Sequence, residues 1–115
     1  IDLEFIDRRI DILGLVRSCF NEAEARNILS LPVPEQPARF FAFWTAKEAR
    51  MKLTGDGMSL PPQQIALDIE DGVPVGYLRP DSPATQAVFI DLGRPETICC
   101  LAMRPTTFSY VSKTS

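Results

Sequence analysis

Residues 37 to 54, "PARFFAFWTAKEARMKLT", constrain the fold more than any other stretch. Pro37 suits the first turn of a helix, and Gly55 can supply the left-handed residue that stops it. At about 100° per residue, Phe40, Trp44 and Met51 fall together. Phe41 lies further round beside Glu48 and Lys52, Phe43 flanks Lys47, and Ala42, Ala46, Ala49 and Leu53 fill the back. A surface helix keeps its charges on one face. This one has apolar groups all round and is expected to be largely buried.

The rest of the chain supplies what buries it. "IDLEFI" at residues 1 to 6 alternates apolar and acidic residues, the period of a strand with one acidic face. "DRRIDILGLVR" carries a short helical pattern at Ile10, Leu13, Leu15 and Val16. "NEAEARNILSL" opens on Asn21, a good N-cap, with Glu24 three residues on as in a capping box. The three prolines of "PVPEQP" mark a turn, and "GDGMSLPP" is a loop. "QIALDIE" and "VGYLR" flank the turn signal Asp71-Gly72. "QAVFIDL" and "ETICCLAM" flank "GRP", and "TFSYVS" adds a last short strand or a tail. A strand, two or three helices and then antiparallel strands make an α+β domain spanning 1–115.

Several function classes are excluded or disfavoured. The net charge of −3 gives no basic stripe for nucleic acid. No apolar run approaches the roughly 20 residues of a membrane-spanning helix, and no signal peptide is visible. The three cysteines, Cys19, Cys99 and Cys100, cannot all pair within one chain, and reduced thiols point to the cytoplasm. Histidine is absent, which removes imidazole, Cys/His zinc sites and a Ser-His-Asp triad. Carboxylates and lysines must carry any chemistry.

Glu48 lies between the Trp44 and Phe41 directions, where an unpaired carboxylate is costly. One reading is structural: Lys52, one turn on, forms an ordinary ion pair with Glu48, while Lys47 lays its stem over apolar surface. A second reading comes from the first strand. Asp2 and Glu4 project from one face, roughly 7 Å apart along the strand. Alone, two such acids form a solvent face. Beside a third acid on a buried helix they form a cluster that a cation would relieve. Oxygen-only ligands point to Mg²⁺, which commonly keeps several waters and binds substrate phosphates. Lysines beside it favour an anionic substrate and phosphoryl-type chemistry.

"IDLE" followed by "FWTAKEARMKLTGDG" resembles the 4′-phosphopantetheinyl transferases, whose pattern is a D-x-E strand, then W-x-x-K-E-A-x-x-K and a Gly-rich loop. The closer resemblance is to the C-terminal half of the two-halved type that activates surfactin-like peptide synthetases. "NEAEARNIL" and "DIEDGVPVGYLRP…ETICCLAMRP" extend it over nearly the whole chain. The resemblance implies two similar halves packed as a pseudo-dimer with coenzyme A in the cleft between them. It implies that Asp2 and Glu48, with Glu4 directly or through water, hold Mg²⁺ on the pyrophosphate of coenzyme A. Glu48 would help deprotonate the serine of an apo acyl or peptidyl carrier protein. Lys47 and Lys52 would contact the phosphates, and Lys52 would neutralise the leaving 3′,5′-ADP.

The sequence departs from that pattern in one respect. The N-terminal half, with its Ser-His motif and nucleotide-binding basic residues, has no counterpart in these residues. The chain begins at Ile1, without Met and already in a strand pattern, which points to a piece of something longer. The expected partner is that missing half or a second copy of the chain, and the surface it would cover is expected to be an apolar patch. The competing reading is a non-catalytic half that binds a carrier protein or partner chain and is inactive alone.

Overall fold

The computed structural model describes residues 1–7, 9–54, 61–79 and 85–104. Strand β1 (Asp2–Phe5) leads into helices α1 (Ile12–Cys19) and α2 (Glu22–Leu29). A short 3-10 turn at Val33–Glu35 opens directly into the long helix α3 (Gln36–Thr54), and a second turn at Pro62–Gln64 leads to the remaining strands. These are β2 (Ala66–Glu70), β3 (Val73–Arg79), β4 (Gln86–Ile90) and β5 (Thr97–Met103). One antiparallel sheet results, in the order β1-β5-β4-β3-β2. The chain is an α+β domain, with the expected elements in the expected order. The Gly55 cap and the "TFSYVS" segment lie outside the described residues.

Local chemistry explains the joints. Asn21 Oδ1 accepts the Glu24 amide at 2.9 Å, and the Asn21 amide donates to Glu24 Oε1 at 3.1 Å. That reciprocal pair is the capping box that starts α2. Asp71 and Gly72 both have positive φ, 51° and 76°, which suits the tight reversal between β2 and β3. Gly72 is favoured there for a further reason: a Cβ would press on the Arg39 guanidinium, which donates to Asn27 Oδ1 at 2.8 Å.

Helix α3 lies across one face of the sheet and is the centre of the core. Its Phe40, Phe41, Phe43, Ala46 and Ala49 pack with Val16 and Phe20 from the α1 side, Ile28 from α2, and Leu67, Tyr77, Ala87, Cys100 and Ala102 from the sheet. Phe20 meets Phe40 and Phe43 edge-on, with ring centres 5.4 and 6.2 Å apart. The all-round apolar pattern of this helix therefore reflects burial, as expected. Cys19, Cys99 and Cys100 are free thiols, and burial pushes the Cys100 thiol up to about 12, which keeps it protonated and inert. Among the described residues, no helix is long and apolar enough to cross a membrane.

Strand β1 is oriented opposite to the ordinary rule. Its acidic residues face α3: Asp2 is 3% exposed and pairs in register with the buried Cys100. Its apolar residues Ile1, Leu3 and Phe5 are exposed. Residues opposed across antiparallel strands share a face, so Leu3, Cys99 and Ile90 form one row of the open side, next to Val88 and Leu101. Leu78 and Met103 extend that open side and are exposed as well. The pleat alternation is the one the sequence shows; the placement of α3 decides which side is inside.

Candidate active site

Two charged clusters hang on α3, in different directions. The first joins α3 to β1. Lys52 Nζ donates to Asp2 Oδ1 and closes an ion pair between the last turn of α3 and the edge strand. Asp2 is buried, whereas the Lys52 side chain is 55% exposed. Glu48 stands one turn before Lys52 and is half-buried, as is Glu4, two residues beyond Asp2 on the same side of β1. Asp2 Oδ2 is buried without a hydrogen-bond partner. The i,i+4 geometry of Glu48 and Lys52 is present, but the hydrogen bond of Lys52 goes to Asp2.

The titration of these groups shows how closely they feel one another. Partial burial, then the charge of Asp2, push the Glu4 carboxyl from 4.5 up to about 7; Glu48 adds to the push and Lys52 opposes it. Glu48 is raised as well, by burial first and then by Asp2, again against Lys52. Lys52 is raised in turn, chiefly by its hydrogen bond to Asp2. Three carboxyl groups thus share one exposed ammonium, and two of them hold protons more tightly than ordinary carboxylates do.

Among the described residues, no group of three His, Cys, Asp or Glu side chains is gathered closely enough to enclose a metal ion. The donor set nevertheless fits a hard divalent cation. It is made of oxygen alone, Asp2 keeps one oxygen with no partner, and the like charges gain from a cation between them. Mg²⁺ commonly uses one or two carboxylates and fills its remaining positions with water and substrate phosphate. Asp2, Glu4 and Glu48 could hold it in that way. Lys52, at the exposed rim, could meet an anion.

Lys47, expected to contact phosphate, is placed in the interior and paired with Glu24. It is fully buried, and leaves α3 about 100° round the axis from Glu48. Its Nζ lies 2.6 Å from Glu24 Oε1 and donates to Pro62 O at 2.8 Å and Cys19 O at 3.2 Å, over the Phe20 ring. Burial pulls the Lys47 ammonium down from its ordinary value, against the opposing pull of Glu24. Glu24 is the residue that sequence reasoning left incomplete. Its capping role was legible, but its second role as a counter-ion was not, because the partner is on another helix. The one available signal was a lysine flanked by Phe43 on a helix with no polar face.

A family model described as the 4'-phosphopantetheinyl transferase superfamily matches residues 1–101. The 4'-phosphopantetheinyl transferase HetI of Nostoc sp. (strain PCC 7120 / SAG 25.82 / UTEX 2576) is 40% identical over 68 residues, covering 58% of this chain and 29% of that protein. The 4'-phosphopantetheinyl transferase psf-1 of Bacillus pumilus is 44% identical over 59 residues, covering 51% of this chain and 24% of that protein. The chain thus spans less than a third of the length of these curated relatives. No solved structure matches it significantly.

Proposed function

The chain belongs to the 4'-phosphopantetheinyl transferase superfamily, and from that premise we propose that it carries the catalytic acids for moving 4′-phosphopantetheine from coenzyme A to a serine of an apo acyl or peptidyl carrier protein. The released product is 3′,5′-ADP. In this reading the chain is the C-terminal half of a two-halved enzyme, working in the cytoplasm with its N-terminal counterpart or with a second copy. Three free thiols and the absence of a basic stripe agree with that setting and with a protein partner rather than nucleic acid.

The observation that carries the proposal is the convergence of Asp2, Glu4 and Glu48 on Lys52, with one Asp2 oxygen left unpartnered. Asp2 and Glu48 would hold Mg²⁺, with Glu4 directly or through water. Held there, the ion would supply charge neutralisation at the pyrophosphate. The carrier serine is a poor nucleophile until its proton has somewhere to go. Glu48, whose carboxyl is made more basic than an ordinary one by burial and by Asp2, is suited to accept that proton through a water. The serine oxygen bonds to the phosphorus of the phosphopantetheine arm as the bond to 3′,5′-ADP breaks. Lys52 neutralises the leaving phosphate. Lys47 has no place in this scheme as a phosphate ligand.

The test is direct. The chain is incubated with coenzyme A, Mg²⁺ and an apo carrier protein, with and without the N-terminal half of a relative, and the carrier is weighed by mass spectrometry. A phosphopantetheine increment is expected. No increment under either condition would sink the catalytic reading and favour a second one, in which the chain is a non-catalytic half that binds a carrier or partner chain. The exposed apolar side of the sheet is the feature that favours that alternative.

A further inference from the structure

Lys47 and Glu48 are neighbours in sequence and point to different parts of the molecule. An ammonium has three N–H donors. Lys47 has three acceptors around it: Glu24 Oε1 at 2.6 Å, Pro62 O at 2.8 Å and Cys19 O at 3.2 Å. No donor is left for a substrate. Glu24 is similarly committed, with Oε1 also taking the Asn21 amide and Oε2 the Leu67 amide at 2.8 Å. Both side chains are essentially inaccessible, at 0% and 1% exposure.

The pair is a junction. It ties α3 to the end of α1 through Cys19, to the start of α2 through Glu24, to the turn before β2 through Pro62, and to β2 through Leu67. A helix is rigid between adjacent residues, and Glu48 lies about 100° round the axis from Lys47. Pinning Lys47 therefore sets the direction in which Glu48 leaves the helix. A buried ion pair contributes little net stability compared with an apolar pair of similar volume, and its best-attested use is to select one arrangement over others. The residues here are placed for that use.

We propose that Lys47 and Glu24 are positioning residues: their buried pair fixes the rotation of α3 and so holds Glu48 against β1, where Asp2 and Glu4 stand. The catalytic consequence rests on the transferase reading; the geometric claim does not.

The experiment uses the full chain with Lys47→Met, Glu24→Gln and the double variant. The double variant removes both charges and protects the test against a single variant that fails to fold. Nuclear Overhauser contacts between β1 and the Glu48 turn, measured without metal, report the geometry. Transfer kinetics with coenzyme A, the N-terminal half of a relative and an apo carrier report the chemistry. The expected result is loss of those contacts in the folded double variant. With it, kcat should fall by roughly 10²-fold, as for an ångström-scale misplacement, while KM for coenzyme A is little changed. Raised KM with kcat intact would return Lys47 to phosphate binding and overturn the proposal. Unchanged contacts and unchanged kcat per folded molecule would reduce the pair to a structural tie. If the unmodified chain transfers nothing, the transferase reading fails alone. The contacts then decide the positioning claim: lost in the variant sustains it, retained overturns it.

Discussion

Helix α3 carries two ionic clusters that differ in one respect, the balance of charge and partners. The Lys47–Glu24 cluster has one cation and one anion, both sealed from solvent, with every donor and acceptor described above engaged. The Asp2–Glu4–Glu48–Lys52 cluster has three acids to one half-exposed lysine and leaves an oxygen of Asp2 unpartnered. A single helix thus holds a satisfied cluster and a frustrated one, a turn or less apart. The satisfied cluster spends its polar groups on the fold. The frustrated one keeps them available, at a cost in stability, for something that is not part of the chain. Strongly perturbed acids in an accessible place are the usual mark of function.

The sharpest way to break this contrast is Glu48→Gln. It removes charge and basicity while keeping the shape. Transfer by the complete enzyme is expected to fall by at least ~10³-fold, about 4 kcal/mol of transition-state stabilisation. Because the fold disfavours the charged form of Glu48, the variant should be at least as stable as the parent in urea at neutral pH. Retained turnover would remove Glu48 from the chemistry, and a large stability loss would mean the open cluster is structural after all.

The closed cluster should respond the other way. Lys47→Met strands the buried Glu24 carboxylate, which typically costs about 3–5 kcal/mol. The urea midpoint should drop sharply, and the Lys47→Met/Glu24→Gln double variant should recover much of the loss. If Lys47→Met unfolds no more readily than the parent, the pair is not buried as described. A smaller effect is expected at Lys52→Ala. Transfer should weaken by roughly 10²-fold, as for loss of one preorganised cation at a developing charge, with a lesser change in Mg²⁺ affinity measured by calorimetry. Loss of metal binding with transfer intact would contradict the role given to Lys52.

Much of the fold could be read from the residues. The burial of α3 followed from its apolar circumference, the start of α2 from Asn21 and Glu24, and the β2–β3 reversal from Asp71-Gly72. The pairing of Asp2 and Glu4 with the α3 side was legible only because the helix offered a third acid and the motif resembled a known one. Period-two alternation states that β1 has two faces; it does not state which is covered. That depends on where α3 comes to rest, and here the acids are inside and Ile1, Leu3 and Phe5 outside. The fate of Lys47 was hidden for a related reason. Its direction on the wheel was correct, beside Phe43, but its counter-ion lies on α2 and its other acceptors are main-chain carbonyls of Cys19 and Pro62, which no side-chain pattern encodes.

The smallest expected effect tests the frustration itself. Glu4 titrates near 7 in the folded chain against an ordinary 4.5, so between those values the native state holds a proton that the unfolded chain has released. Stability from this group is therefore full below about pH 4.5 and is lost as pH rises through about 7. The raised Glu48 acts in the same direction. Without divalent ions, the chain should melt at a lower temperature near pH 8 than near pH 5. Added Mg²⁺ should narrow that gap, since an ion bound between the carboxylates favours their charged forms. Glu4→Gln should flatten the profile, whereas Glu24→Gln should lower the melting temperature and leave its slope with pH in place. A metal-free chain whose melting temperature rises from pH 5 to 8 would show that the acids of the open cluster do not burden the fold, and that the two clusters are not different in kind.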